Sequence, residues 1–156
     1  MLHRLCDRVA AILRILSWIA FAALIITVAL QVLARDILAA PMIWTGDVAQ
    51  LLFTWLIFIG AAAGLRLGSH YTVDLLPMHR RTVKLSTDWI GFVAGVLVAL
   101  LLLICGWELT MIRSTAVVQS LGISRFWMFL PLPLSGAFMI LFLAEMLQDL
   151  LTRRVA

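Results

Sequence analysis

The sequence predicts an all-α integral membrane protein. It has four transmembrane helices running up and down, both termini cytoplasmic, and an amphipathic segment ahead of the first span. Three observations carry this. The 156 residues are 64% hydrophobic and only 13% charged, with mean hydropathy +1.11, which leaves too little charge to cover a soluble domain. The apolar residues fall into four blocks, about 15–34, 48–65, 89–107 and 126–147, each long enough to cross a bilayer. The lysines and arginines lie between the blocks and divide unevenly between the two sides. A single four-helix domain accounts for the whole chain.

The first fourteen residues place Leu2, Leu5, Val9, Ile12 and Leu13 at helical spacing. His3, Arg4, Asp7 and Arg8 fall mostly on the opposite side, as in an interfacial helix turn that leads into the membrane. The apolar run that follows is too long for a signal peptide and predicts a retained first helix. Ile15 to Ala34 carries only Ser17, Thr27 and Gln31 as polar side chains. Arg35-Asp36 ends it, and Ala39-Ala40-Pro41 makes a short turn.

The stretch Trp44–Asp74 is the most informative in the chain. Its apolar part, Val48 to Leu65, holds Gln50 and Thr54 as its only polar side chains. At about 1.5 Å per residue it measures roughly 27 Å, close to the ~30 Å hydrocarbon thickness. Asp47 at its start suits a helix N-terminus and a capping role. Gly60 and Gly64 let a second backbone come close, either within this chain or from another membrane protein. Arg66, His70 and Asp74 are spaced by four and would share a face if the helix continued. They either anchor the helix end among the headgroups or meet complementary charges on a partner.

Residues 67–87 form the longest polar connection, with His70, Asp74, Pro77, His79, Arg80, Arg81 and Lys84. Trp89 to Trp107 is a third span without a charge, carrying the pair Gly91 and Gly95. Glu108 to Arg125 reads as a loop. Phe126 to Leu147 is the fourth span. Trp127 stands near its start, Pro131-Leu-Pro133 lies in its first turns, where proline is cheap, and Glu145 lies near its far end.

Nine of the twelve basic residues fall on the side that holds both termini and the second loop, and three (Arg35, Arg113 and Arg125) fall on the other. The positive-inside rule makes the first side cytoplasmic. Trp18, Trp44, Trp89, Trp107 and Trp127 agree, since all lie near span ends, where indoles meet the lipid interface. Trp55 does not. Near the midplane its N–H wants a partner, and contact with another helix and plain lipid-facing packing are both open.

The chemistry of the chain is defined largely by what its pattern excludes. The net charge of +4 forms no basic stripe, so the pattern does not suggest nucleic acid. Cys6 and Cys105 lie near opposite faces and cannot bridge within one chain. No nucleophile, metal or phosphate-loop motif is present, and no cofactor is implied. His3, His70 and His79 lie outside the spans, where they cannot ligate an intramembrane haem, which argues against a redox anchor. A self-sufficient transporter needs ionisable groups or broken helices near the midplane. The middle third of every span is uncharged, and Glu108 and Glu145 sit near helix ends, within reach of water. The reading from residues alone is an accessory membrane subunit.

The stretch from Trp44 to Asp74 also resembles the signature of the small membrane subunit of tripartite ATP-independent periplasmic (TRAP) transporters, the DctQ-type family. Trp44, Asp47, Trp55, Gly60, Arg66, Gly68, His70 and Asp74 match that family's order and spacing, with Asp47 where glutamate is usual. Pro131-Leu-Pro133 with Gly136 resembles the family's start of the fourth span. The resemblance implies a bacterial inner-membrane protein that works in a three-part, sodium-coupled complex. A large multi-span membrane subunit carries the transport sites, and a periplasmic substrate-binding protein captures an organic anion. It makes Trp44, Asp47, Trp55, Gly60, Gly64, Arg66, His70, Asp74, Arg125 and Trp127 candidates for partner contacts, with Trp44, Asp47, Arg125 and Trp127 on the periplasmic side.

Overall fold

The computed structural model describes residues 2–37, 39, 42–68 and 81–155. Five helices and a short hairpin follow one another: α1 Leu2–Asp36, α2 Ile43–Gly68, α3 Arg81–Arg113, β1 Val117–Val118, β2 Ile123–Ser124, α4 Phe126–Phe129 and α5 Pro131–Val155. Four helices are long and apolar enough to cross a membrane, over His3–Asp36, Ile43–Arg66, Trp89–Arg113 and Phe126–Gln148.

The helices outrun the apolar spans. The amphipathic N-terminal turn and the first span are one unbroken helix, α1, because nothing in Leu2–Arg14 breaks a helix. The third helix begins at Arg81 rather than at Trp89, so the last third of the expected polar connection is helical. It also runs on to Arg113, which corrects the reading of Glu108–Arg113 as loop. Lipid requires a helix only inside the hydrocarbon, but good helix formers carry it past that boundary.

The remainder of that expected loop is a two-stranded antiparallel hairpin. Val117 faces Ser124 and Val118 faces Ile123. Gly122 has φ +65 and donates its N–H to the Val118 carbonyl at 2.8 Å. That left-handed corner is one a side chain would strain. Arg125 N–H closes the base of the hairpin on the Ala116 carbonyl at 2.8 Å. The Ser124 hydroxyl donates to the Ser114 carbonyl at 2.6 Å and accepts from Phe126 N–H at 3.1 Å, which ties the hairpin to both flanking helices.

The fourth span is split. α4 makes one turn, and α5 starts at Pro131 with its first turn closed by Leu134 N–H on the Leu130 carbonyl. α5 is the central helix. Of its most apolar eighteen residues 44% are buried, against 6% in α1 and 11% in α2 and α3. It packs on α3 and α2, while α1 leans mainly on α2. The core lies between them and includes Leu13, Ile59, Ala62, Ala99, Met139, Phe142 and Leu143.

Small residues set the α3–α5 distance. A Cβ on Gly136 would stand 2.7 Å from the Leu103 nitrogen and 2.8 Å from the Ala99 oxygen, both backbone atoms that cannot step aside. A Cβ on Gly106 would meet Leu132 and Pro133 at 3.0 and 3.1 Å. Of the Gly91/Gly95 pair only Gly95 is packed, against Leu143. We expect Gly136→Ala to destabilise the protein by about 1–3 kcal/mol through overpacking. Gly64→Ala, whose Cβ meets open space, should be neutral or slightly stabilising. Thermal unfolding of the two variants in detergent checks the contrast.

Candidate functional site

Chemistry-bearing side chains gather at the two ends of the bundle. At the end that holds the chain's N-terminus, Arg66 on α2 binds Glu145 on α5 in a bidentate contact through one edge of its guanidinium. Nε donates to Oε2 at 3.0 Å and Nη2 to Oε1 at 3.1 Å. Nη2 also donates to Asp7 Oδ1 on α1 at 2.6 Å. His3 Nδ1 bonds the same Glu145 carboxylate. The guanidinium carbon lies 5.6 Å from the centre of the Phe142 ring, a cation–π distance. Beside the cluster, the buried Cys6 thiol points at the Leu141 carbonyl, 3.9 Å away.

This arrangement corrects two expectations. Glu145 is 8% exposed and not open to water. α5 continues to Val155, so Glu145 stands well inside the helix and faces α2. Arg66 meets complementary charges within the chain, on two other helices. The sequence held a usable signal. Spans 2 and 4 run in the same direction, and Arg66 and Glu145 carry opposite charge at matching depth. Glu108, by contrast, is exposed near the end of α3.

At the other end Asp47 does not cap its helix. α2 begins at Ile43, so Asp47 stands beyond the capping position. Its carboxylate instead accepts from the Ser120 hydroxyl in the hairpin turn and ties α2 to that turn. At the start of α2 the Thr45 hydroxyl donates to the Met42 carbonyl at 2.6 Å. Trp44, Arg125 and Trp127 stand at this same end, all exposed.

Trp55 has an intrachain partner. Its indole N–H donates to the Trp127 carbonyl at 2.9 Å. In a continuous helix that carbonyl would accept from residue 131, but Pro131 has no N–H to give. Trp55 fills the vacancy that the proline opens. Gly60 and Gly64, by contrast, have nothing within 4 Å of where a Cβ would be. They take no part in close packing within the chain and floor a groove between α1 and α2. His70 and Asp74 lie outside the described residues. No cluster of histidine, cysteine or acidic side chains able to hold a metal occurs among the described residues.

The model of the family "Tripartite ATP-independent periplasmic transporters, DctQ component" matches residues 24–153. The chain belongs to that family. It is therefore a transporter subunit rather than an enzyme, and a multi-pass protein of the bacterial inner membrane. Three proteins are similar to it. The sialic acid TRAP transporter small permease protein SiaQ of Vibrio cholerae is 28% identical over 137 residues, which is 84% of this chain and 69% of SiaQ. The C4-dicarboxylate TRAP transporter small permease protein DctQ of Pseudomonas aeruginosa is 40% identical over 63 residues, 40% of this chain and 27% of that protein. The sialic acid TRAP transporter permease protein SiaT of Haemophilus influenzae is 28% identical over 112 residues, 70% of this chain but only 18% of SiaT.

Two outcomes test how this DctQ-type subunit is held together. Glu145→Gln should cost about 3–5 kcal/mol, because it leaves the Arg66 charge buried without its main partner. Asp7→Asn should cost much less, since the Asp7 side chain is 56% exposed. Unfolding in detergent followed by circular dichroism compares them. Trp55→Phe should destabilise by about 1–3 kcal/mol, the cost of an unsatisfied carbonyl. In a Pro131→Ala background that loss should shrink, because the alanine N–H can take the Trp127 carbonyl. A double-mutant cycle on Trp55 and Pro131 measures this coupling.

Proposed function

We propose that this chain is the non-catalytic small subunit of a sodium-coupled TRAP transporter for an organic anion. It braces a large permease subunit in the bilayer and offers its hairpin end to a periplasmic substrate-binding protein. The observation that carries this reading is the commitment of Glu145. A transporter acting alone would need an ionisable group free to bind a substrate or ion within the spans. Glu145 was one of two candidates for that task, and it is occupied by Arg66 and His3. The other, Glu108, is exposed on the outside of α3.

The size of the relatives points the same way. A stretch similar to this chain makes up less than a fifth of SiaT, which suits a unit that works attached to a much larger membrane polypeptide. The outer faces also suit it. Ile90, Val93, Leu97, Leu101 and Ile104 form an exposed apolar stripe along α3, available to lipid and to a neighbouring helix. At the hairpin end, Trp44, Arg125 and Trp127 present two aromatics and a cation, side chains favoured in protein interfaces.

The chain, co-expressed with the large subunit of its own system and purified by affinity in mild detergent, should bring down that larger polytopic protein. Liposomes holding the small subunit alone should show no uptake. Recovery of only a monomer or homo-oligomer, or uptake by the chain alone, would overturn the reading.

A further inference from the structure

One outward stripe of α3 repeats with the period of a helix seam. Ala94, Leu97, Leu101, Ile104, Glu108 and Met111 follow one another by alternating steps of three and four residues, and all are exposed. That is the repeat of about 3.5 residues by which two helices keep one line of side chains in contact. Lipid has no register and imposes no such repeat.

One member of the stripe is an acid. Glu108 follows Ile90 by about five full turns and so points the same way, out from the bundle. It lies within the membrane-crossing stretch Trp89–Arg113, and the apolar surface does not end with it. Met111 and Ile112, the latter 71% exposed, carry that surface one turn further toward the hairpin. An acid inside a span almost always turns toward the bundle interior and pairs there. Glu108 does neither within this chain. It is exposed, and among the described residues it forms no ion pair. Arg113, the next cation along α3, stands about 140° further round the helix.

The interior that this carboxylate faces therefore belongs to a larger assembly. Lipid tails offer it no counter-charge. A second copy of the chain fits no better. Two like-oriented copies in a membrane are related by a two-fold axis along its normal, and this stripe would then set Glu108 against Glu108. The occupant that fits is a helix with an apolar seam of the same period and a cation level with Glu108.

We propose that the α3 stripe seats one transmembrane helix of the large permease subunit, crossing at about 20°, whose lysine or arginine pairs with Glu108. This rests on the bracing role proposed above and names the face that performs it.

The complex of the full chain with the large subunit of its own system, co-expressed and purified in mild detergent, tests this. Glu108→Lys should lower recovery of the large subunit by about tenfold or more, since it sets cation against cation. Glu108→Gln should lower it less. Reversing one lysine or arginine in a span of the large subunit to glutamate should restore recovery with Glu108→Lys. Both variants change an exposed side chain, and unchanged thermal unfolding of the small subunit alone confirms the fold. A photo-reactive phenylalanine analogue in place of Leu101 should cross-link to the large subunit. A complex that forms as well with Glu108→Lys would overturn this proposal and leave the bracing role standing. So would an analogue at Leu101 that cross-links only to a second copy of this chain, or to no protein. A wild-type chain that recovers no large subunit would overturn the bracing role itself, and this proposal with it.

Discussion

The buried contact between Arg66 and Glu145 is the constraint on which the rest of this bundle depends. Lipid tails are as apolar as the helix faces, so no hydrophobic force of the aqueous kind drives these four helices together. Something must fix which helix meets which, and at what height. A guanidinium reaching from α2 to α5, and on to α1 through Asp7, fixes three helices at one point. Its strength lies less in net energy than in the penalty for being out of register, because a buried charge without its counter-charge is far costlier than the pair. A slip of one turn between α2 and α5 would part the two charges and leave each with only its more exposed partner on α1, Asp7 or His3.

The opposite end is held by weaker and more numerous links. The Asp47 carboxylate takes a hydroxyl from Ser120, the hairpin is stapled to its flanking helices through Ser124, and Trp55 reaches the Trp127 carbonyl. α3 and α5 need no such link, because Gly136 and Gly106 bring them to backbone contact. The helix pairs are thus closed by different means. α3–α5 uses steric fit, α2–α5 uses charge, and α1–α2 leaves a groove where the glycines of α2 face outward. The use of the glycines differs from pair to pair, and a GxxxG spacing alone does not reveal which glycines are packed. Gly60/Gly64 fit that motif and are open. Gly136 belongs to no such pair and is the most tightly packed of the described glycines.

The number, order and direction of the helices were legible in the sequence, because hydrocarbon thickness and basic-residue counts act on the chain segment by segment. The helix ends were less so. α1 and α3 extend beyond the apolar blocks into water, where composition no longer constrains them. The hairpin was hidden by its size, although β-branched Val117-Val118 and Ile123 around a turn ending in Gly122 carried its signal. The partners of Arg66 were illegible for a deeper reason. Residues 7, 66 and 145 are far apart in sequence, and only the docking of three helices makes them neighbours. Span limits drawn from hydropathy also placed Glu145 at a helix end, whereas the helix runs on and buries it.

Pro131 shows how a local rule and a tertiary contact bear on one atom. Proline at the first position of α5 is locally comfortable, since that N–H would be unpaired at any helix start. The fault appears one turn earlier, where α4 presents the Trp127 carbonyl with no amide to receive. In water such a carbonyl finds a solvent partner, but in a bilayer it must be satisfied by protein. The indole that satisfies it comes from Trp55, the one tryptophan that did not fit the interfacial pattern. An aromatic donor out of place in one helix and a proline that removes a donor from another are two halves of a single hydrogen bond. Their pairing places the break between α4 and α5 against the middle of α2, as the ion pair places Glu145, well along α5, against the end of α2. With both points set, α5 has no freedom to slide, and the outward faces of α1 and α3 remain available to whatever surrounds the bundle.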